Sequence, residues 1–278
     1  MTKNYTREEI HNLLNKQIIA EKPIFIFGAG TGLTAKCAEL GGADLIGIYS
    51  TAIYRMQGLS SLIAALPYGN ANDELLYYAK NILRVVKKTP CIAGLGAQDP
   101  TRDIETFIDQ LVYMGFSGIS NEPFTSLYGK PFTNMLEQAN IGFSKEAELI
   151  SIANRKNIFS LAWAFNEEEA IIMTEAGADI IGVMAGGLTS GGITGAQKTI
   201  SLEDAIEMVI KICNAVKKIN KNAIVITHGG PFENPVTAEC SIKNTGAAGY
   251  LSGSSGERIP TETSVIEIVK KYKNMKMK

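Results

Sequence analysis

The chain has 278 residues, of which 45% are hydrophobic and 20% charged, and its formal net charge at pH 7 is −1. This balance is typical of a globular protein with a large core, and it argues against a surface for nucleic acid polymers or anionic membranes. The amino terminus lacks the apolar core of a signal peptide, and no window reaches the ~18 uncharged apolar residues of a membrane span. We therefore expect a cytoplasmic protein.

The first predicted element is a leading helix at residues 1–22. After it, four stretches repeat one phrase, in which a helix end is followed by glycine and a short buried strand. These stretches are residues 39–49, 113–121, 175–184 and 244–252. Glycine just past a helix adopts the left-handed conformation at little cost, and the following apolar run is typical of a buried parallel strand. The phrase therefore predicts a helix-to-strand turn.

Four further strands are predicted between these phrases, and a helix is predicted after every strand. The further strands are residues 24–27, 91–95, 158–162 and 223–227. The helices are residues 31–40, 73–87, 101–114, 144–155, 166–176, 201–219, 235–244 and 261–273. Eight such units, in a chain little longer than the ~250 residues usual for the fold, predict an α/β (β/α)8 TIM barrel.

We expect one domain over residues 1–278. The leading helix at residues 1–22 could close the barrel floor, residues 23–273 form the barrel, and residues 274–278 form a solvated basic tail.

Ligands of this fold bind at the carboxyl ends of the strands and in the loops after them. Small and hydroxyl residues in these loops leave backbone N–H groups open to an anion, so we expect them to bind a small anionic metabolite. The candidates are Gly28, Gly30, Thr31, Ser50, Gln98, Gly186, Gly187, Gly229, Gly230, Ser252, Gly253, Ser254 and Ser255. Arg258 would add a charge that can bind phosphate or carboxylate, unless it is a surface arginine after a flexible turn.

Three side chains are candidates for catalysis. His228 ends the seventh strand before two glycines and could transfer a proton, bind an enolate oxygen or ligate a metal, although it could also be structural. The other histidine, His11, is expected on the surface of the leading helix. Glu122 and Asp99 follow the fourth and third strands and could bind Mg²⁺ or act as a base. Asp99 could instead cap a helix.

Long loops at residues 50–72 and 123–143 could form lids over the site. Residues 186–195 contain five glycines and could also close over a ligand, but disorder in the empty protein would fit equally well. A Rossmann site after the first strand is disfavoured, because Leu33 replaces the third glycine of that motif.

Five motifs together resemble a known family. They are FGAGTGLTAK at residues 27–36, GLGAQDP at 94–100, SNEPF at 120–124, GGLTSGG at 186–192 and THGGP at 227–231. This combination resembles the phosphoenolpyruvate hydrolase-like proteins, also described as predicted TIM-barrel signal transduction proteins. That family is similar to the carboxyl-terminal domain of a plant tobamovirus-resistance protein and, more remotely, to the phosphoenolpyruvate mutase and isocitrate lyase superfamily.

The resemblance implies a homo-oligomeric barrel with Mg²⁺-assisted lyase or hydrolase chemistry on a small phosphorylated or carboxylated keto or enol acid. It also implies metal-binding roles for Glu122 and, in part, Asp99. The superfamily's paired aspartates are absent, because Tyr49 and Ser50 follow the second strand and residues 96–98 follow the third. A non-catalytic sensor that binds a nucleotide or metabolite is the alternative function.

Overall fold

The computed structural model describes residues 2–277, so Met1 and Lys278, the last residue of the predicted tail, lie outside it. Its centre is a closed barrel of eight parallel strands that neighbour one another in chain order. The strands are Ile24–Gly28 (β1), Leu45–Ile48 (β2), Cys91–Leu95 (β3), Gly118–Asn121 (β4), Phe159–Ala164 (β5), Ile180–Met184 (β6), Ile224–His228 (β7) and Gly249–Ser252 (β8). Strand β8 closes the barrel by pairing with β1. The predicted TIM barrel is confirmed.

Helices alternate with the strands. Within residues 2–277 they are Arg7–Ile19 (α1), Gly32–Leu40 (α2), Ser50–Met56 (α3), Ala71–Leu83 (α4), Ile104–Met114 (α5), Lys130–Gln138 (α6), Phe143–Arg155 (α7), Glu167–Glu175 (α8), Leu202–Ile219 (α9), Pro235–Asn244 (α10) and Arg258–Lys273 (α11). The two long segments that we predicted as loops contain α3 and α6, and each adds a short 3-10 helix, Ser61–Ala65 and Thr125–Tyr128. None of the described helices is long and apolar enough to cross a membrane.

Helix α1 lies against the floor of the barrel. Its first turn carries a capping box between Thr6 and Glu9, and its residues Ile10 and Leu14 are fully buried in the hydrophobic cluster inside the barrel. Asp179 fixes its orientation, because one carboxylate oxygen lies 2.7 Å from Arg7 Nε and 2.6 Å from His11 Nε2. His11, which we expected on the surface, is partly exposed, and its ring also contacts Asp179 at the barrel floor.

A second, larger hydrophobic cluster fills the space between the strands and the surrounding helices. Both clusters are close-packed, so the carboxyl ends of the strands are held in fixed positions. Side chains that leave β2, β4, β5 and β7 at this end therefore meet in a rigid frame.

Candidate active site

A small pocket lies at the carboxyl ends of the strands, with a volume of ≈ 60 Å³. Its polar lining includes Arg55, Glu122, Trp163, His228 and Ser254. A cavity needs roughly 10–15 Å³ to hold one water, so this pocket suits a ligand of a few heavy atoms.

Arg55, on α3, is the positive charge of the pocket. Its Nε donates to Glu257 Oε2 at 2.8 Å, its Nη2 lies 2.7 Å from the same oxygen, and Nη2 also donates to the carbonyl of Gly28. The other Glu257 oxygen accepts from the Gly30 amide at 2.7 Å and from Thr34 Oγ1 at 2.6 Å. Both charged side chains are buried, so the guanidinium is fixed in one position.

Glu122 follows β4 directly, and only 3% of its surface is exposed. Burial raises the pKa of its carboxyl group to about 8, although the charge of Arg55 acts in the opposite direction. Below that pH the group is protonated and can donate a hydrogen bond or a proton. It is therefore suited to be an acid at neutral pH.

His228 ends β7, and its Nδ1 lies 2.8 Å from the carbonyl of Leu251. A carbonyl oxygen can only accept, so Nδ1 carries the proton and Nε2 is left as an acceptor. Burial lowers the pKa of the imidazole to about 4, and the charge of Arg55 lowers it further, while the bond to Leu251 opposes both. The ring is therefore neutral at pH 7 and can accept a proton.

Gly253 allows His228 and Arg55 to approach each other. A Cβ at this position would lie 3.1 Å from His228 Cε1 and 3.2 Å from Arg55 Nη1. Any larger residue would therefore push into both functional groups.

Trp163, on β5, has a buried indole N–H that lacks a hydrogen-bond partner within residues 2–277. The ring lines the pocket and lies 5.1 Å from the His228 ring, centroid to centroid. The hydroxyl of Thr51, another lining residue, is also buried without a partner in this part of the chain. Buried donors are normally satisfied, so these two groups are available to a ligand or water.

Of the residues predicted from the sequence, the structure brings Glu122, His228, Gly187 and Ser254 to the pocket lining. Sequence reasoning missed Arg55, and it did not single out Glu257 from the loop after β8. Glu257 was the signal in the sequence that could have pointed to Arg55, because a carboxylate that is buried among small residues needs a cation beside it.

Asp99 does not face the pocket. Its carboxylate accepts hydrogen bonds from Asn70, Asn72, Thr101 and Arg102. Burial alone would raise its pKa, but the bonds from Thr101 and Asn72 hold the pKa well below its usual range. The position corrects the predicted catalytic and metal-binding roles, because the carboxylate is already used to hold the loops after β2 and β3 together.

Arg258 does not face the pocket either. Its Nη1 lies 2.9 Å from Glu262 on the next turn of α11, and its Nη2 donates to the carbonyl of Gly191 at 3.0 Å. The side chain is buried in these contacts, so it stabilises a loop and offers no free charge to an anion. This corrects its predicted role as the anion-binding residue.

The remaining predicted binding residues serve mainly the protein's own packing. A Cβ at Gly28 would lie 1.8 Å from the Tyr49 hydroxyl, and a Cβ at Gly230 would lie 2.1 Å from the carbonyl of Ala185. Gln98 donates to the carbonyl of Gly142. The other predicted binding residues do not line the pocket, and several of them form caps, turns or hydroxyl pairs. They are Gly30, Thr31, Ser50, Gly186, Gly229, Ser252, Gly253 and Ser255.

The glycine-rich segment at residues 186–195 lies over the pocket, which is lined by its Leu188 and Thr189. The segment is ordered by contacts with its neighbours. Ser190 N–H donates to the Gly230 carbonyl at 3.1 Å, and Ile193 N–H donates to Glu262 at 2.9 Å. Together with Arg258, these bonds tie the segment to the loop after β7 and to α11.

The pocket does not fit a magnesium ion. No group of three or more His, Cys, Asp or Glu side chains that could hold a metal occurs within residues 2–277. Glu122 is the one carboxylate of the two predicted ligands that reaches the pocket, and its cationic neighbour Arg55 disfavours binding of a cation.

Two tomato (Solanum lycopersicum) proteins are similar in sequence: the ToMV susceptible protein tm-1(GCR26) is 41% identical over 95% of this chain, and the ToMV resistance protein Tm-1(GCR237) is 40% identical over 98%. The match covers 35% and 36% of those proteins, so the chain spans about a third of their length.

Solved structures with the same fold are much less similar in sequence. A phosphonopyruvate hydrolase in complex with oxalate and Mg²⁺ superposes with a TM-score of 0.59 at 16% identity, over 98% of this chain and 88% of that one. A phosphoenolpyruvate phosphomutase from Streptomyces platensis subsp. rosaceus gives the same TM-score and identity over 96% and 88%. The model of one family matches residues 9–275, and the chain therefore belongs to the phosphoenolpyruvate hydrolase-like family.

Proposed function

We propose that the protein is a lyase- or hydrolase-type enzyme that acts on a small carboxylated keto or enol acid. The observation that carries this proposal is one buried pocket in which a fixed guanidinium, Arg55, meets a protonated carboxyl group, Glu122, and a neutral imidazole, His228. These are the groups needed to bind a carboxylate and to move a proton at an adjacent carbonyl.

Each group has a separate task in this proposal. Arg55 binds the substrate carboxylate, and the unpartnered indole N–H of Trp163 donates to the oxo oxygen. In the lyase form, His228 Nε2 takes the proton of a substrate hydroxyl, whose oxygen then forms the new carbonyl of the departing fragment. In the hydrolase form, His228 takes a proton from water, and the resulting hydroxide adds to the carbonyl of the departing fragment. In both forms the carbon–carbon bond then breaks, and its electron pair enters an enolate. Glu122 gives its proton to the enolate carbon, and the proton on His228 returns through water to the Glu122 carboxylate.

Charge favours a carboxylate over a phosphate. The positive charge of Arg55 is already shared with Glu257, and Glu122 and His228 are neutral near pH 7. A phosphorylated acid would bring two or more negative charges into a buried site with one shared cation, and burial of uncompensated charge is costly. The small volume supports the same substrate class.

The comparisons support the proposed reaction type. The family description refers to phosphoenolpyruvate hydrolase, and one structural neighbour is a phosphonopyruvate hydrolase. The predicted magnesium is not part of the proposal, because the lining residues do not fit it.

Turnover tests the proposal. We would incubate the protein with oxaloacetate, hydroxylated 2-oxo acids, phosphonopyruvate and phosphoenolpyruvate, and follow pyruvate and phosphate release. We expect turnover of a non-phosphorylated acid, reduced at least 100-fold in Glu122→Gln and His228→Ala, since acid–base groups contribute about 10²–10⁴-fold. Glu146→Gln is the matched control, because Glu146 is also buried with a pKa raised to about 7 but does not line the pocket. Equal loss in all three variants would contradict the assigned roles.

A non-catalytic sensor remains the second candidate, because the described residues lack a metal cluster of the kind that the resemblance implies. Trp163 is the single tryptophan of the chain and lines the pocket, so its fluorescence reports ligand binding directly. A fluorescence change with a small acid, without product formation from any of them, would favour the sensor over the enzyme.

A further inference from the structure

The positive charge of the pocket lies at one side of the barrel. Arg55 belongs to α3, which follows β2, and its bonds attach it to Gly28 at the end of β1 and to Glu257 after β8. These bonds use Nε and Nη2 of the guanidinium, so Nη1 is available to a carboxylate. No other lysine or arginine occurs among the described residues that line the pocket. The pocket can therefore neutralise one carboxylate, and it holds that group near β1, β2 and β8.

The opposite side of the pocket is apolar. Because the eight strands neighbour one another in chain order, β4, β5 and β6 lie across the barrel from β8, β1 and β2. The apolar side chains that line the pocket there come from β6 and from the loops after β4 and β6, and we call them the apolar wall: Phe124, Leu127, Met184 and Leu188. Phe124 is 7% exposed and packs edge-on against Trp163, with 6.2 Å between the ring centroids. The wall is therefore part of the packed interior.

The proposed acid and base lie beside the apolar wall. Met184 pairs with His228 in the register of β6 and β7, and Phe124 follows Glu122 by two residues. A substrate whose carboxylate binds Arg55 therefore presents its other end to the wall, where the bond breaks. A second carboxylate at that end would lose its hydration without gaining a cation, and burial of an unpaired charge is costly. Burial of an alkyl group is favourable instead, by about fourfold in affinity for each CH₂.

We propose that the substrate is a 4-hydroxy-2-oxo acid with one carboxylate and a short alkyl group on the carbon that carries the hydroxyl. This inference rests on the function proposed above and narrows it to the lyase form. Arg55 binds the carboxylate, His228 takes the hydroxyl proton, and the bond between the third and fourth carbons breaks. Its electron pair enters the enolate of pyruvate, which Glu122 protonates at the third carbon. The fourth carbon leaves with its alkyl group as an uncharged aldehyde, which suits the apolar wall, whereas the hydrolase form would release a second carboxylic acid there.

Binding of two unreactive acids tests the charge that the wall accepts. 2-Oxopentanoate and 2-oxoglutarate have the same five-carbon chain, and in the second a carboxylate replaces the terminal methyl group. We expect Trp163 fluorescence to report at least about tenfold tighter binding of 2-oxopentanoate, because the second carboxylate would be buried without a cation. Equal or tighter binding of 2-oxoglutarate would overturn the inference, whether or not the protein is an enzyme.

A cation introduced into the apolar wall should weaken or reverse this preference. Leu127→Arg places a guanidinium in the lining, so we expect it to bind 2-oxoglutarate at least about tenfold more tightly than the wild type does. Leu188→Arg makes the same change from another loop and replaces the first variant if circular dichroism shows that Leu127→Arg is unfolded. Met135→Arg is the matched control, since Met135 is 62% exposed on α6 and lies outside the pocket lining. An unchanged preference in the folded wall variant, or an equal change in the control, would contradict the role of the wall.

Turnover separates a failure of this inference from a failure of the proposed function. The substrates are 4-hydroxy-2-oxopentanoate and the corresponding diacid, 4-hydroxy-2-oxoglutarate, and pyruvate release is followed for both. We expect kcat/KM to be at least about tenfold higher for the first acid. Equal kcat/KM for the diacid would overturn the inference while supporting the enzyme assignment. Selective binding of 2-oxopentanoate with no turnover of either hydroxy acid would overturn the lyase reaction, and the preference for one carboxylate would then stand on the binding measurements.

Discussion

At the scale of single residues, the pair Arg55 and Glu257 decides what the pocket can bind. The two residues are 202 positions apart in the chain, and no local pattern connects them. Their bonds join the loops after β1, β2 and β8 around one charge. This is why a sequence pattern that identified Glu122 and His228 from their places at strand ends did not identify the cation between them.

Removal of Arg55 should affect both stability and binding. Arg55→Met leaves Glu257 buried and unpaired, so we expect a loss of roughly 3–5 kcal/mol in the free energy of unfolding, measured by urea denaturation. The double variant Arg55→Met, Glu257→Gln should recover most of this stability but not the affinity for a carboxylate, measured through Trp163 fluorescence. Recovery of both would show that Arg55 is only structural.

Glu122 should make the protein less stable as the pH rises. In the unfolded chain its pKa is near 4.5, and burial raises it to about 8 in the fold. The stability that its bound proton contributes is therefore fully present below about pH 4.5 and is lost as the pH rises through about 8. Glu146 acts in the same direction, whereas His228, with its pKa lowered from 6.5 to about 4, acts in the opposite direction, mainly between those two pH values.

The measurement is urea unfolding at about pH 6.5 and 8.5, where this difference should be on the order of 1–3 kcal/mol for the wild type. Glu122→Gln should reduce the difference, because the amide does not titrate. An unchanged difference in that variant would mean that the carboxyl group is already ionised at neutral pH.

At the scale of helices and loops, the sequence predicted the regular elements and not the ones that shape the pocket. Helices α3 and α6 begin without a side-chain cap, so neither starts with the Ser, Thr, Asp or Asn that usually marks a helix, and Pro131 alone signals the start of α6. Helix α3 delivers Arg55 to the pocket, and it lies in a segment that we had predicted as a loop. The glycine-rich segment at residues 186–195 was identified, but its anchor Arg258 was assigned to a ligand.

We expect Arg258 to stabilise residues 186–195 and not to bind the ligand. Arg258→Met removes the bond to the Gly191 carbonyl, so we expect faster amide hydrogen exchange across residues 186–195 and at most an about tenfold loss of ligand affinity, which corresponds to roughly 1.4 kcal/mol. Arg84→Met, on the exposed surface, is the control. A loss of affinity as large as that of Arg55→Met would show that Arg258 binds the ligand.

At the scale of the whole molecule, the alternation of strands and helices was sufficient to predict the closed barrel. Each repeated phrase, such as residues 175–184, marks a strand that is buried on both sides, and short connections leave few other topologies. The exposed position of α11 was beyond this reasoning. Val265, Ile268, Val269 and Tyr272 recur at the spacing of a helix that packs on a barrel, and yet they are 46–68% exposed.

The attachment of α1 by Asp179 limits how substrates reach the pocket and how products leave it. The packed hydrophobic cluster inside the barrel, with Ile10 and Leu14 at its lower end, separates the pocket from the floor. Substrate and products therefore share the open side of the pocket, where Leu188 is part of the lining. In a reaction that cuts one acid into two pieces, the fragment nearer the opening would depart first, and the piece still held by Arg55 would leave last.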